Sequence, residues 1–340
     1  MTTHMRAEIE EIPDASARLL EQSATAMREA GARLREIDPA FVTTVARGSS
    51  DHAASFLKYA IELSAGVPVA SLGPSIASIY GAKLKLARSA SIAISQSGKS
   101  PDIVAMAGAA RDGGAATIAI TNTGDSPLAA GSDHPIDIRA GVERSVAATK
   151  TFVTSAMAGL AVLAHWTSDS ALIAALQALP RHFSRAIDCD WMTMAPVLAG
   201  DQSLFILGRG PSLAIANEAA LKFKETCGMH AEAYSAAEVM HGPLALVHSG
   251  FPVLVLAARD ASETSAAETA DQLAAKDAAV FATTERVAKA GRLPFSATGH
   301  PLTDPLALIV AFYVFVEAFA RHRGLNPDQP RNLRKVTETI

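Results

Sequence analysis

Short apolar runs alternate along the chain with longer stretches of helical pattern. Residues 6–35, rich in Ala, Leu, Glu and Arg, read as helical, with an interruption at Pro13-Asp14. Phe41–Ala46 is β-branched and predicts a strand, followed by a helix from His52 to about Ser64. Val67–Leu72, Ser89–Ile94, Ala116–Thr121 and Pro135–Ile138 predict further strands, with a helix over 101–112 between two of them. The second half repeats the theme. Leu204–Leu207 predicts a strand, a long helix runs to Cys227 with Gly228 as its stop, and strands at Val253–Leu256 and Ala279–Thr283 flank a helix near 262–276. Strands alternating with helices imply parallel sheets covered on both faces. Leu306–Val316 is apolar throughout but meets Glu317. That is short of the roughly 20 residues a membrane span needs, and it reads as a buried helix.

Both halves open with a strand that ends in a loop holding Arg and Gly: Arg47-Gly48-Ser49-Ser50, and Arg209-Gly210-Pro211-Ser212. This implies internal duplication of one α/β unit, with a boundary near Asp188–Gln202. Ser95-Gln96-Ser97-Gly98-Lys99-Ser100 follows the strand 89–94. Its Gly-Lys-Ser is not a nucleotide-binding P-loop, because the first glycine of that motif falls at Ala93. Gly208-Arg209-Gly210 likewise lacks the third glycine of a dinucleotide fingerprint, with Ala214 near its place. Ser100 suits an N-cap and Pro101 the first helical position. Parallel sheets bind ligands at the carboxyl ends of their strands, and helix N-termini favour anions. Ser49, Ser50, Ser95, Gln96, Ser97 and Ser100 therefore predict a site for a phosphate monoester.

Composition narrows the class. The 340 residues are 49% hydrophobic but only 5% aromatic, which suits Ala-rich helices packed on sheets. A net charge of −4 and a pI near 6.2 give no basic footprint for nucleic acid. The two cysteines, Cys189 and Cys227, form neither a disulfide framework nor a zinc motif, so no metal and no cofactor is expected. The charged N-terminus lacks the apolar core of a secretory signal, and a reducing, cytoplasmic setting is expected.

The chemistry concentrates in the second half. Glu218, Lys222 and Glu225 share one helical face, which fits either a solvated ladder or an acid–base site. His230, Glu232, Glu238 and His241 follow closely. A histidine before Gly-Pro is also a common turn residue. The polar tail Asp328–Thr337 reads either as frayed or as a cover for an anionic sugar through Arg331 and Lys335.

Five segments in order, SQSGKSPD, ATKTF (148–152), EAALKFKE, HAEAYSAAEVMHGPLALV and DQPRNLRKVT, resemble the SIS family of sugar-phosphate isomerases. That family includes the isomerase half of glucosamine-6-phosphate synthase and stand-alone amino-sugar-phosphate deaminases. The resemblance covers residues 6–340 and implies two tandem SIS domains, each a parallel sheet sandwiched by helices in three αβα layers. It divides the chain into a helical segment 1–35, a first domain 36–187 with the phosphate loops, a second domain 188–325 with the catalytic helix, and a tail 326–340 over the active site. It implies that Ser50, Ser95, Gln96, Ser97 and Ser100 bind phosphate, and that Ser49 and the backbone of Val146 and Ala147 touch the sugar. The resemblance further implies that Glu225 moves a proton between C1 and C2, and that Lys222 serves the neighbouring hydroxyl or amine. It also implies that His241 assists ring opening across a homodimer, and that Lys335 can form an imine with the open-chain ketose. Three positions depart from the synthase pattern: Arg47 replaces a small residue, Lys99 an acidic one, and Ala148 a serine. No glutaminase domain with an N-terminal cysteine precedes residue 1, so the implied reaction is isomerising deamination of glucosamine 6-phosphate. A deglycase of a fructosamine-type 6-phosphate and a non-catalytic sugar-phosphate sensor are the alternatives. The sensor reading lacks a helix-turn-helix and has no use for Glu225, His241 and Lys335 together.

Overall fold

A computed structural model describes residues 2–200 and 203–335. Residues 201–202, at the predicted boundary, and 336–340, the end of the predicted tail, lie outside the described residues. The first sheet comprises β1 Phe41–Val45, β2 Val69–Ser71, β3 Ser89–Ile94, β4 Ala116–Thr121 and β5 His134–Asp137, parallel throughout, in the order β2-β1-β3-β4-β5. The second comprises β6 Ser203–Gly208, β7 His230–Ser235, β8 Pro252–Val255, β9 Ala279–Ala282 and β10 Gly291–Arg292, also parallel, in the order β10-β9-β8-β6-β7. Taken from its β7 edge, the second sheet repeats the order of the first. Both are the doubly wound arrangement whose switch point lies between the first and third strands.

The longer helices are α1 His4–Glu10, α2 Ile12–Gln22, α3 Ala24–Ile37, α4 Ser49–Ser64, α5 Pro101–Asp112, α6 Lys150–Thr167, α7 Ser170–Ile187, α8 Pro211–Cys227, α9 Glu263–Ala274 and α10 Asp304–His322. The chain divides into two compact units with interleaved segments. One holds the first sheet and comprises Asp14–Glu143, Lys150–Gln177 and, of the described tail, Arg334 and Lys335. The other holds the second sheet and comprises the chain up to Pro13, Arg144–Thr149 and Ala178–Leu333.

In the first-sheet unit, all six residues of β3 are buried, as expected of a strand covered on both faces. On one face, Ile103 and Met106 of α5 pack against Val45, Ala93 and Ala119. Elsewhere in this unit α3 and α6 lie so close that a Cβ on Gly31 would stand 2.7 Å from the Val162 carbonyl oxygen. In the second-sheet unit, Phe205, Val253 and Val280 from neighbouring strands share a core with Ala266, Ala270 and Leu273 of α9. Phe223 of α8 meets Phe312, Phe315 and Phe319 of α10 edge-on, with ring centroids 5.3–6.4 Å apart. Such geometry suits the aromatic quadrupole.

Duplication extends to backbone angles. Gly48 before α4 has φ 57° and ψ −133°, and Gly210 before α8 has φ 58° and ψ −134°. The structure adds helices α6 and α7 and strand β10 to the elements read from the sequence, and differs from that reading at several others. The N-terminal break falls at Glu11, and Pro13 sits in the first turn of α2, where its missing N–H is harmless. The fourth helix begins at Ser49 rather than His52, placing both serines in its first turn. His230–Ser235, read only as a cluster of acids and histidines, is edge strand β7. The apolar helix α10 is 19 residues, long enough by length and composition to cross a membrane, yet its apolar window is 83% buried within the protein.

Candidate active site

The hydroxyl loops meet as the topology requires. In the first-sheet unit, β1 and β3 are neighbours at the switch point, and their carboxyl ends deliver Ser50 and Ser95–Ser100 to one cleft of about 160 Å³. Arg47, Ser50, Ser95, Gln96, Ser97, Ser100 and Lys335 supply its polar lining, with Ile94 and Ile103 beneath. Ser49 stands beside them in the first turn of α4 without lining the cleft.

The loop is pinned by its backbone. Gln96 O accepts from Asn122 N at 3.0 Å, and Gly98 O accepts from Leu128 N at 3.1 Å. The Ser95 hydroxyl accepts from Gly98 N at 3.2 Å, and that of Ser97 from Lys99 N at 3.2 Å. Gly98 has φ +60°, and a Cβ there would fall 2.1 Å from Ser126 Oγ, so only glycine fits. Ser100 occupies the N-cap of α5 with Pro101 next, as the sequence implies, but its hydroxyl makes no capping bond. Of the first-turn N–H groups of α5, that of Ile103 is taken up by Asp102 Oδ1 at 2.8 Å rather than by the Ser100 hydroxyl.

Two cations line this cleft, each tied to a carboxylate whose side chain is fully buried. Arg47 Nε pairs with Asp102 Oδ2, and Lys335 Nζ with Glu143 Oε2 at 2.8 Å. Glu143 also accepts from Thr151 N at 3.1 Å and Thr151 Oγ1 at 2.7 Å, which fixes it at the start of α6. Lys335 is thus an anchored part of the cleft up to the limit of the described tail. Beside Ser50, burial pushes the Asp51 carboxyl above its usual range, against the pull of His52 and Arg47.

In the second-sheet unit, the Glu218–Lys222–Glu225 ladder is not a solvated face. Glu218 and Lys222 have no exposed side-chain surface, and Glu225 keeps 18%. Lys222 Nζ lies 3.2 Å from Glu218 Oε1 and 2.5 Å from Glu225 Oε2, and the Tyr313 hydroxyl donates to Glu218 at 3.0 Å. Burial alone would depress the lysine pKa, but the two carboxylates outweigh it and hold the pKa above the ordinary lysine value. Lys222 is therefore an ammonium at neutral pH. Gly228 ends α8 with φ 60°, leaving Glu225 in the last turn.

Glu225 opens on a cleft of about 360 Å³, whose other wall is the segment 324–331, including Asn326, Gln329 and Arg331. The sequence reading gave Asp328 no role. Its carboxylate accepts from His4 N at 2.8 Å and Met5 N at 2.7 Å, capping α1, while its carbonyl accepts from Val146 N at 3.4 Å. Glu8 of α1 accepts from the N–H groups of Arg144 and Ser145, next to Val146 and the fully buried Ala147. A short N-terminal helix thus braces both the 144–147 backbone and the wall of the Glu225 cleft. His241 ends a 3₁₀ turn on the surface, and no residue of 230–250 lines the Glu225 cleft within the chain.

Two doubly wound repeats, with a hydroxyl-lined cleft at the first switch point and an acid–lysine–acid ladder in the second unit, define a class of tandem α/β proteins. The chain belongs to the SIS domain family, whose pattern matches residues 41–165 and 198–290. It is 59% identical to a crystal structure from Silicibacter pomeroyi described as a proposed phosphosugar isomerase, with a TM-score of 0.94 over 96% of this chain and 100% of that one. The C-terminal domain of glucosamine-fructose-6-phosphate aminotransferase from Francisella tularensis superimposes with a TM-score of 0.84 at 25% identity, over 97% of this chain and 99% of that domain. Glutamine–fructose-6-phosphate aminotransferase (isomerizing) of Symbiobacterium thermophilum is 33% identical over 313 residues, 86% of this chain. The chain spans about half the length of that relative, 51%.

Proposed function

We propose that the protein is a phosphosugar isomerase that converts glucosamine 6-phosphate and water to fructose 6-phosphate and ammonia. The observation that carries this reading is the buried Glu218–Lys222–Glu225 ladder, which sets a partly exposed carboxylate 2.5 Å from a lysine ammonium. Aldose–ketose isomerisation needs one base that takes a proton from C2 and returns it to C1. Glu225 is that base. Proton transfer leaves an imine at C2, water adds there, and ammonia departs. Ser50, Ser95, Gln96, Ser97 and Ser100 hold the phosphate, while Ser49, Val146 and Ala147 meet the sugar. Lys222 serves the amine, and Lys335 captures the open-chain ketose as an imine. His241 assists ring opening from the second subunit of a homodimer, a role supported by its surface position away from the chain's own Glu225 cleft. Both cysteines are buried and unpaired, which supports a reducing cytoplasmic setting.

The test is ammonia release and fructose 6-phosphate formation over a panel: glucosamine 6-phosphate, glucosamine, other 6-phosphorylated amino sugars and a fructosamine-type 6-phosphate. Turnover of glucosamine 6-phosphate without turnover of glucosamine supports the proposal. Amine release from the fructosamine-type compound alone would replace it with a deglycase. Saturable binding without turnover of any compound would make the protein a sensor.

A further inference from the structure

Every neutral donor in the hydroxyl cleft donates to a sugar oxygen as readily as to a phosphate oxygen. Selecting a dianion takes a cation, and a guanidinium fork matches phosphate geometry better than an ammonium. Arg47 lines this cleft, is 46% exposed, and is tied through Nε to Asp102. One of the five donors of the fork is thereby used, and the two terminal nitrogens keep theirs for other acceptors. Asp102 has no exposed side-chain surface and also accepts the Ile103 N–H at 2.8 Å, so the first turn of α5 fixes the tether. We propose that Arg47 reads the charge of the ligand in the hydroxyl cleft and that Asp102 is its positioning residue. This rests on the reading of that cleft as a phosphate site.

The duplication supplies an internal control. Arg209 holds the same loop position ahead of Gly210, whose dihedrals match those of Gly48. In that repeat the acid at the start of the following helix, Glu263 of α9, is turned instead to Thr284 Oγ1 at 2.6 Å and Arg286 Nε at 3.0 Å. The tethered arginine thus occurs in the repeat that carries the hydroxyl loop. Lys335, the other cation of the cleft, is a compact charge already shared with Glu143 and gives no fork.

The experiment titrates inorganic phosphate, glucosamine 6-phosphate and glucosamine by calorimetry into wild type, Arg47→Met, Arg47→Lys and Asp102→Asn, with thermal melting of each ligand-free variant. Arg47→Met should weaken phosphate and the sugar phosphate roughly tenfold to a hundredfold, the span of a charge-assisted hydrogen bond, and leave glucosamine unchanged. Arg47→Lys should recover part of that loss, with KM raised and kcat retained. Asp102→Asn should weaken phosphate several-fold while Arg47 is still present. A wild-type protein that binds phosphate, beside an Arg47→Met variant within twofold of it, overturns the proposal. Wild-type affinity in Asp102→Asn removes the positioning role alone. Should Asp102→Asn fail to fold, the Arg47 pair still decides the charge-reading role, and Arg47 variants in which glucosamine binding falls in step with phosphate would assign the pair to loop structure instead. A wild type that binds neither phosphate nor the sugar phosphate overturns the reading of the cleft itself.

Discussion

Replacing Lys222 with Met keeps much of the side-chain volume and removes the ammonium. Glu218, with no exposed side-chain surface, would then keep only one of the two partners described for Oε1, the Tyr313 hydroxyl at 3.0 Å, having lost the cation at 3.2 Å. Glu225, 18% exposed, would recover some water. Removing one partner of a buried ion pair costs about 3–5 kcal/mol, because the other charge is left uncompensated. Whole domains are stable by about 5–15 kcal/mol, so the variant should lie near the limit of folding. Adding Glu218→Gln should return at least half the loss, since the amide oxygen still accepts from Tyr313 without a net charge. Urea unfolding followed by the fluorescence of Trp191, in the same unit and close to Phe312 and Phe315, measures this. The sign with pH is also fixed. In wild type the lysine pKa is raised, so its contribution is complete below the unfolded lysine value and is lost only as pH rises through the higher folded one. A loss below about 1 kcal/mol, or no recovery on adding Glu218→Gln, would refute the view that the ladder is a buried, mutually dependent set.

Glu225→Gln should preserve folding and phosphate binding but lower turnover about 10²–10⁴-fold, the usual share of a positioned acid–base group, and substrate hydrogen at C2 should cease to exchange with solvent. Gly98→Ala combines a left-handed backbone with a Cβ 2.1 Å from Ser126 Oγ. It should cost about 2–4 kcal/mol by thermal melting and weaken phosphate in calorimetry, while a glycine-tolerant position such as Gly108, with open space around it, should accept Ala. Burial pushes the Cys227 thiol up to about 11 and also raises that of Cys189, so neither should react with a disulfide reagent at pH 8 until urea is added.

The strand pattern carried most of the fold because parallel strands buried on both faces are short apolar runs bounded by turns, as Ser89–Ile94 illustrates. The hydroxyl cleft was legible for the same reason: topology sends the ends of β1 and β3 to one place. The strand β7 was not, since its alternating apolar positions are only the small Ala231 and Ala233, interleaved with His230 and Glu232, and its one large contact, Tyr234 edge-on to Phe205, is made with another strand. Nor could spacing alone decide between a solvated and a buried ladder for Glu218, Lys222 and Glu225. What buries it is α10, more than eighty residues further on, which brings Tyr313 to Glu218. The role of Asp328 was hidden likewise, because its partners are backbone groups of α1, which leave no mark in side-chain pattern.

That last contact has a consequence for how the protein is made. Asp328 and His4 are 324 positions apart, and Thr3 donates to Glu317 at 2.8 Å across a similar distance. A ribosome adding about 5–20 residues per second would have α1 in place roughly a quarter of a minute to a minute before its cap emerges. Over that interval the strands and helices of 14–143 and 150–177 are already complete, whereas the unit that contains α1 still lacks its closing segment. Helix α1 is thus capped only when Asp328 emerges, and a nascent-chain intermediate with a finished first sheet and an uncapped α1 is the form that chaperones would meet.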